Sequence, residues 1–372
     1  MRDVRLADFH DDYREPVREL SSMSLRMEEL AESFPALLFA LATGYGDPEK
    51  RAKVFDMIIE GAPLKNVAAT FGLPIWLRKL PPQAFSDPIR NVPDGDGFAR
   101  RIANFVPKSP LNSAAWFSRV CDAYAFAGAD YMLWMARHKR FPFGSDGQDA
   151  LMLMGAWAWA SLHPGSDAHN LLRMPWMPDI SLKRAYDEAR AWERRVDLAI
   201  TLGAGTQDTW FAGDTVNGFE FVPITTVEEF LAEARAMGNC LDQYADPINN
   251  THVRVFSIRK DSEPIANIEI APHDDDCLMP GIEQLRGPRN NRAAPEIWQA
   301  AYSWLGQQTF RVFPGPSHGG RTEVADAWQH IWGPILADID DTQLRKKVRS
   351  FARQAHGCAG VQRESARVNL DL

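Results

Sequence analysis

The spacing of apolar residues changes partway along this chain, and that change constrains the fold more than any other feature. Up to about residue 200 the apolar positions recur at helical intervals. From Thr209 onward they fall into short, nearly alternating runs broken by turn residues, the pattern of strands. Both patterns, in separate blocks, predict an α+β protein: a mainly helical N-terminal domain, a small antiparallel sheet packed on helices, and a helical C-terminal tail. A chain of 372 residues is also long for one core. We therefore expect a helical domain over 1–205, an α+β domain over 206–320 and a helical tail over 321–372.

In the first block, residues 15–41 carry Val17, Leu20, Leu25, Leu30 and Leu37 near helical spacing, interrupted at Pro35. Asp47-Pro48 starts a second helix, with Asp as cap and Pro at the first helical position, and Gly61 ends it. A short helix over 64–71 is closed by Gly72. Past a proline-rich break (Pro81, Pro82, Pro88, Pro93) come aromatic-rich helices around 112–139 and 147–162. Another spans 181–199, where Glu188, Arg190, Glu193, Arg194 and Arg195 read as a solvated face. In the second block Asn217-Gly218 marks a tight hairpin. Thr225-x-x-Glu228 and Thr226-x-x-Glu229 are overlapping capping boxes, opening a helix lined by Phe230, Ala234, Met237, Leu241 and Tyr244. Strands are predicted over 252–259, 264–271 and 278–286, then helices over 295–308, 322–339 and 342–355. A polar, frayed end with Arg363 and Arg367 follows.

Composition excludes several classes. No apolar run reaches the roughly 20 residues of a membrane helix, and the longest, over 150–162, reads as a buried helix. The first 12 residues are charged and lack a signal-peptide apolar region, so a cytoplasmic location is expected. Cys121, Cys240, Cys277 and Cys358 lie far apart, which fits a reduced compartment and not a zinc ribbon. A net charge of -8 argues against a surface built wholly for nucleic acid. No P-loop and no nucleophile elbow is present, and no metal or cofactor is expected.

Polar residues cluster within the strand block. On a continuous helix Met237, Cys240 and Tyr244 would share one face, and Gly238 inside it would require a distortion or a close approach. Cys240 on such a face reads as a small buried hydrophobe. Strand alternation puts Val253, Val255, Ser257 and Arg259 on one face, Ile265, Asn267 and Glu269 on one face, and Ile282, Gln284 and Arg286 on one face. Arg259, Asn267, Glu269 and Gln284 would then converge beneath the helix, with Arg259 and Glu269 as the natural ion pair.

The order of these blocks resembles the PcfJ-like domain, found in proteins of conjugative plasmids and other bacterial mobile elements. The family pattern is a Met-x-His-Cys helix followed by Tyr, a strand ending in Ser-Ile-Arg, a strand with Thr-x-Glu, and a Gln-x-x-Gly-x-x-Asn segment. This chain has Met237, Cys240 and Tyr244, then Ser257-Ile258-Arg259, Asn267-Ile268-Glu269, and Gln284, Gly287 and Asn290, over about residues 225–310. Asn239 stands in place of the His and Asn267 in place of the Thr. Loss of the His removes the general base beside Cys240 and weakens any thiol mechanism.

The resemblance implies a cytoplasmic accessory protein of a mobile or horizontally acquired element, binding a small ligand or protein partner through a polar pocket. The same residues also fit a hydrolase or transferase acting on a nucleotide-like or phosphate-containing substrate. There Glu269 would be acid or base, Arg259 an anion binder, Gln284 and Asn290 substrate-orienting, with Asn267, Tyr244 and Cys240 as further ligand-binding groups. The sequence leaves binding and catalysis both open.

Residues 64–80 resemble half of a helix-turn-helix, yet Pro81-Pro82 cuts the second helix short and leaves only Arg78 and Lys79 for phosphates. A packed hairpin is the better expectation, and nucleic acid is a disfavoured partner. The run from His273 to Cys277 reads as a solvated hairpin loop rather than a metal cluster, because adjacent side chains point apart. Arg345, Lys346, Lys347, Arg349 and Arg353 read as a solvated helix face.

Overall fold

The computed structural model describes residues 6–90, 92–143, 147–203, 209–251, 253–273, 276–309 and 321–356. The boundary expected near residue 205, the tip of the 273–277 loop and the polar end with Arg363 and Arg367 lie outside them. The chain divides into two compact units. The first is Met1–Leu162 with Pro175–Tyr186 and Ile339–Leu344, and the second is His163–Met174 with Asp187–Asp338 and Arg345–Leu372.

The first unit is helical. Where one interrupted helix was expected over 15–41, three form: α1 (Asp11–Ser21), α2 (Leu25–Ser33) and α3 (Pro35–Ala42). The extra break has a local cause. Ser24 is extended and its hydroxyl accepts from Met27 N at 3.2 Å, so it caps a new helix. Pro35 opens α3 instead of kinking its predecessor. In α4 (Pro48–Ile59) Asp47 accepts from Glu49 N at 2.8 Å, as its cap role requires. α5 (Leu64–Phe71) ends at Gly72, whose φ of 72° suits glycine.

No second helix of a helix-turn-helix follows α5. Held between Pro74 and Pro81-Pro82, the chain makes one 3-10 turn over Ile75–Lys79 with Trp76 and Leu77 buried. Arg78 donates from Nε to the Ser33 carbonyl at 2.8 Å. After α6 (Asp96–Ile102), the long α7 (Ser113–Arg137) bends at Gly128 and packs on α8 (Gly147–Leu162). A Cβ on Gly155 would sit 2.4 Å from the Phe126 ring, so only glycine permits that contact. α8 is buried from Ala150 to Ala160. Among the described residues no helix is long and apolar enough to cross a membrane.

The second unit is built on a five-stranded antiparallel sheet in sequential order, β1 (Asp214–Val216), β2 (Phe219–Ile224), β3 (Arg254–Lys260), β4 (Glu263–His273) and β5 (Asp276–Arg286). Its helices are α9 (Asp167–Asn170), most of α10 (Leu182–Leu202), α11 (Val227–Met237), α12 (Ala245–Thr251), α13 (Pro295–Gln307), α14 (Arg321–Asp338) and most of α15 (Thr342–Ala355). Asn217 and Gly218, at φ 56° and 78°, make the left-handed turn that a two-residue hairpin needs, and Asp261 and Ser262 repeat it between β3 and β4. One face of the sheet carries Phe219, Phe221, Phe256, Ile258, Ile268 and Leu285 against Trp304 of α13. The other carries Ile224, Val253 and Val255 against Phe230, Leu241 and Ile248 from the α11–α12 segment and Leu198 of α10.

Of the five charged residues of α10 expected on a solvated face, Arg190 is exposed and Arg194 half-buried, but the other three are not solvated. Glu188, Glu193 and Arg195 are buried, each with a partner. Glu188 accepts from Arg173 at 2.8 and 3.0 Å, Glu193 pairs with Arg190, and Arg195 reaches Asp242. The basic residues Lys346, Lys347, Arg349 and Arg353 of α15 are exposed.

Candidate functional site

Register places the polar residues. Val222, Ser257, Asn267 and Arg286 form one cross-strand row on the face toward α11, and Ile224, Val255, Glu269 and Gln284 form the next. Two bulges adjust the predicted alternation. One, between Ile258 and Arg259, lets Ile265 pack on the Trp304 side, away from Asn267 and Glu269. The other leaves Ile282 opposite Ile270, on the Trp304 side, while Gln284 stays opposite Glu269. The expected grouping of Ile265 with Asn267, and of Ile282 with Gln284, therefore fails for both isoleucines.

The helix above the sheet is shorter than expected. The predicted capping box forms at Thr226 and Glu229, and α11 ends at Met237 with Gly238 in the left-handed conformation at φ 62°. Gly238 is thus a helix stop, and Arg289 packs over it, its Cγ 3.4 Å from where a Cβ would lie. Beyond the stop the chain turns through Leu241–Gln243, and Met237, Cys240 and Tyr244 no longer share a helix face. Cys240 is exposed, which corrects its reading as a buried packing residue.

A hydrogen-bonded chain runs from these elements into the sheet. Asn267 donates to Glu233 Oε1 at 2.6 Å and accepts from Asn239 Nδ2 at 2.7 Å. Asn239 also accepts from Leu241 N at 3.2 Å, fixing the turn after the helix. Asn239 and Asn267 are therefore bonded to each other. Arg259 lies 3.8 Å from Glu233 Oε2 and donates to Ser257 Oγ at 3.2 Å. Glu233, Ser257 and Asn267 are buried, while Arg259 remains 35% exposed.

The expected Arg259–Glu269 pair does not form, and register explains why. Glu269 sits opposite Val255, four residues along β3 from Arg259, a strand distance of about 13 Å. Glu233 of α11, absent from the predicted set, takes Arg259 instead. Glu269 accepts from the Tyr244 hydroxyl. Burial raises the Glu269 pKa, Glu283 adds to the rise, and the Tyr244 hydrogen bond and Arg286 partly offset it. Burial, with Glu269 beside it, likewise raises the pKa of Tyr244.

A raised carboxyl pKa makes a stability prediction. The folded state holds the proton more tightly than the unfolded chain, so the contribution is full at low pH and is lost as pH rises through the folded pKa. Glu269→Gln mimics the protonated form and keeps an acceptor for Tyr244. Its thermal midpoint should exceed that of the wild type near neutral pH, and the difference should close below about pH 4. A variant less stable than the wild type at every pH would contradict this.

The site opens at its β5 end. Gln284 is half-buried and accepts from Arg286 Nε at 3.2 Å, leaving its amide N–H groups for another partner. It lines a groove of about 340 Å³ together with Glu283, Leu285, Arg286, Arg292, Ala293 and Trp298. Asn290 lies outside the polar rows, exposed at φ 59° in the turn Pro288–Asn290 that follows β5. That turn brings Arg292 back to bridge Arg286.

Sequence reading also missed a support beneath the site. Asp242, between Cys240 and Tyr244, is buried and accepts from Arg195 of α10 at 2.8 Å (Nε) and 2.7 Å (Nη2). The available signal was Arg195 lying one position before Val196 and three before Leu198, both buried. Among the described residues no group of three or more potential metal ligands occurs. No curated protein and no solved structure matches this chain. Residues 177–302, which take in α10 as well as the sheet and its polar rows, match the model of the PcfJ-like protein family.

Proposed function

We propose that the PcfJ-like segment is a ligand-binding module, and that the chain serves as a cytoplasmic accessory protein of a mobile or horizontally acquired element. The family match supports the second part. The binding role rests on one observation: Ser257, Asn267, Glu269 and Gln284 lie on a sheet face otherwise packed with Ile and Val, and the row ends at a groove. A purely structural cluster would close on itself. This one is closed at Asn239, Asn267 and Glu233 and open at Gln284. The ligand takes the Gln284 amide and the Arg286 guanidinium, while Asn267 and Tyr244 hold the face rigid behind them.

A thermal-shift screen of nucleotides, inorganic phosphate, amino acids and short peptides tests this. A ligand at about a hundred times its Kd adds roughly 2.7 kcal/mol of stability, which should appear in the wild type and vanish in Gln284→Ala. No stabilisation of the wild type by any member, or equal stabilisation of both proteins, would sink the reading.

The raised pKa of Glu269 favours one further reading, a hydrolase or transferase with Glu269 as acid or base. Arg259 is engaged by Glu233 there, so Arg286, whose charge reaches Glu269, serves as the anion binder.

A further inference from the structure

We infer that the β5 groove binds a ribonucleotide unit, with the base on Trp298, the phosphate on Arg286 and Arg292, and the ribose hydroxyls on Glu283. The inference rests on the reading of Gln284 as a ligand contact and adds the chemical class of the ligand.

The lining matches that class group by group. Trp298 supplies an aromatic wall, and Tyr302, one turn on in α13, stands 62% exposed with its ring 5.7 Å from that of Trp298. Base–aromatic stacking needs only a flat apolar face. Arg286 and Arg292 both line the groove, and Arg289 lies in the turn between them. Among the described residues none of these three guanidiniums has a carboxylate partner within 4 Å, whereas Arg195, Arg173 and Arg90 all do. Guanidiniums without a close ion-pair partner beside an open groove suit a phosphate, which accepts from two forks at once. Glu283, the carboxylate of the lining, would repel a phosphate at close range but accepts well from ribose hydroxyls, a role acidic residues take in nucleotide sites. Gln284 adds an amide that can donate and accept at a base edge.

The alternative occupant of a strand edge is an added peptide strand, and the edge here is poorly built for one. The 292 segment already bridges β5 at Arg286, and the register shift beside Glu283 breaks the regular ladder. At about 340 Å³ the groove is sized for a small ligand.

Titration calorimetry of the full chain with AMP, with dAMP and with a short oligoriboadenylate tests the assignment. AMP or the oligonucleotide should bind, and the tighter of the two names the source, free nucleotide or single-stranded RNA. Arg292→Glu and Trp298→Ala should each weaken binding about tenfold or more. The dAMP affinity should fall below that of AMP, and Glu283→Gln should narrow that gap. Trp298 also packs on the sheet core, so Trp298→Phe, which keeps a stacking face, should bind more tightly than Trp298→Ala. Exposed Arg292 gives a variant with no loss of core packing. Absence of binding by all three probes, or binding unchanged in Arg292→Glu and Trp298→Ala, overturns the nucleotide assignment. The Gln284 reading survives that result if another ligand stabilises the wild type and not Gln284→Ala, and fails with it if none does.

Discussion

Trp304→Ala should unfold the sheet of the second unit under conditions where the wild type stays folded. Trp304 is fully buried, stacked on Phe221 at 4.7 Å between ring centres and edge-on to Phe256 at 4.8 Å and Phe211 at 5.9 Å. It is the residue through which α13 grips β2, β3 and the segment before β1. Truncating a buried Trp to Ala loses the transfer term and leaves a cavity lined by rigid rings, a cost of about 3–5 kcal/mol. That is a large part of the roughly 5–15 kcal/mol of a typical domain. Trp304→Phe retains a stacking ring and should lose far less. Chemical denaturation followed by near-ultraviolet circular dichroism reads the difference. Equal stability of Trp304→Ala and the wild type would show that α13 does not anchor the sheet.

The second large effect is expected at Arg195. Its guanidinium and the Asp242 carboxylate are each 10% exposed and doubly joined. Removing one member of a buried pair strands the other charge, at a cost of about 3–5 kcal/mol. Arg195→Ala should therefore destabilise strongly, and Arg195→Met with Asp242→Leu should recover much of the loss because no charge remains buried. The pair fixes the turn between Cys240 and Tyr244 to α10, so ligand affinity should fall in Arg195→Ala even at temperatures where it is folded. A single variant as stable as the wild type, by urea titration, would refute this account of the pair.

Much of the fold was legible because its signals are local. The Asn217-Gly218 hairpin, the Thr226–Glu229 capping box and the Asp47-Pro48 helix start each depend on residues within one turn, and each forms as read. Most other strand and helix positions followed from apolar spacing, although the helix expected over 15–41 forms as three. The errors came where a residue's environment is set by distant chain. Gly238 broke the helical pattern, and the helix stopped there because glycine suits the left-handed C-cap, leaving Cys240 exposed. Arg195 on α10 looked solvated, since nothing local announces that Asp242, 47 residues on, will pair with it. In the sheet, strict alternation missed bulges that turn Ile265 and Ile282 to the opposite face. The same limit hid Glu233, whose place on α11 decides that Arg259 turns away from Glu269.

The binding role of the polar face is tested most directly by titration calorimetry of the ligand that most stabilises the wild type. It would be carried out on the wild type, Gln284→Ala and Arg349→Ala, the last on the exposed face of α15. Loss of about 1–3 kcal/mol of binding free energy in Gln284→Ala, with Arg349→Ala unchanged, is the predicted outcome. Identical affinities in all three proteins would contradict it.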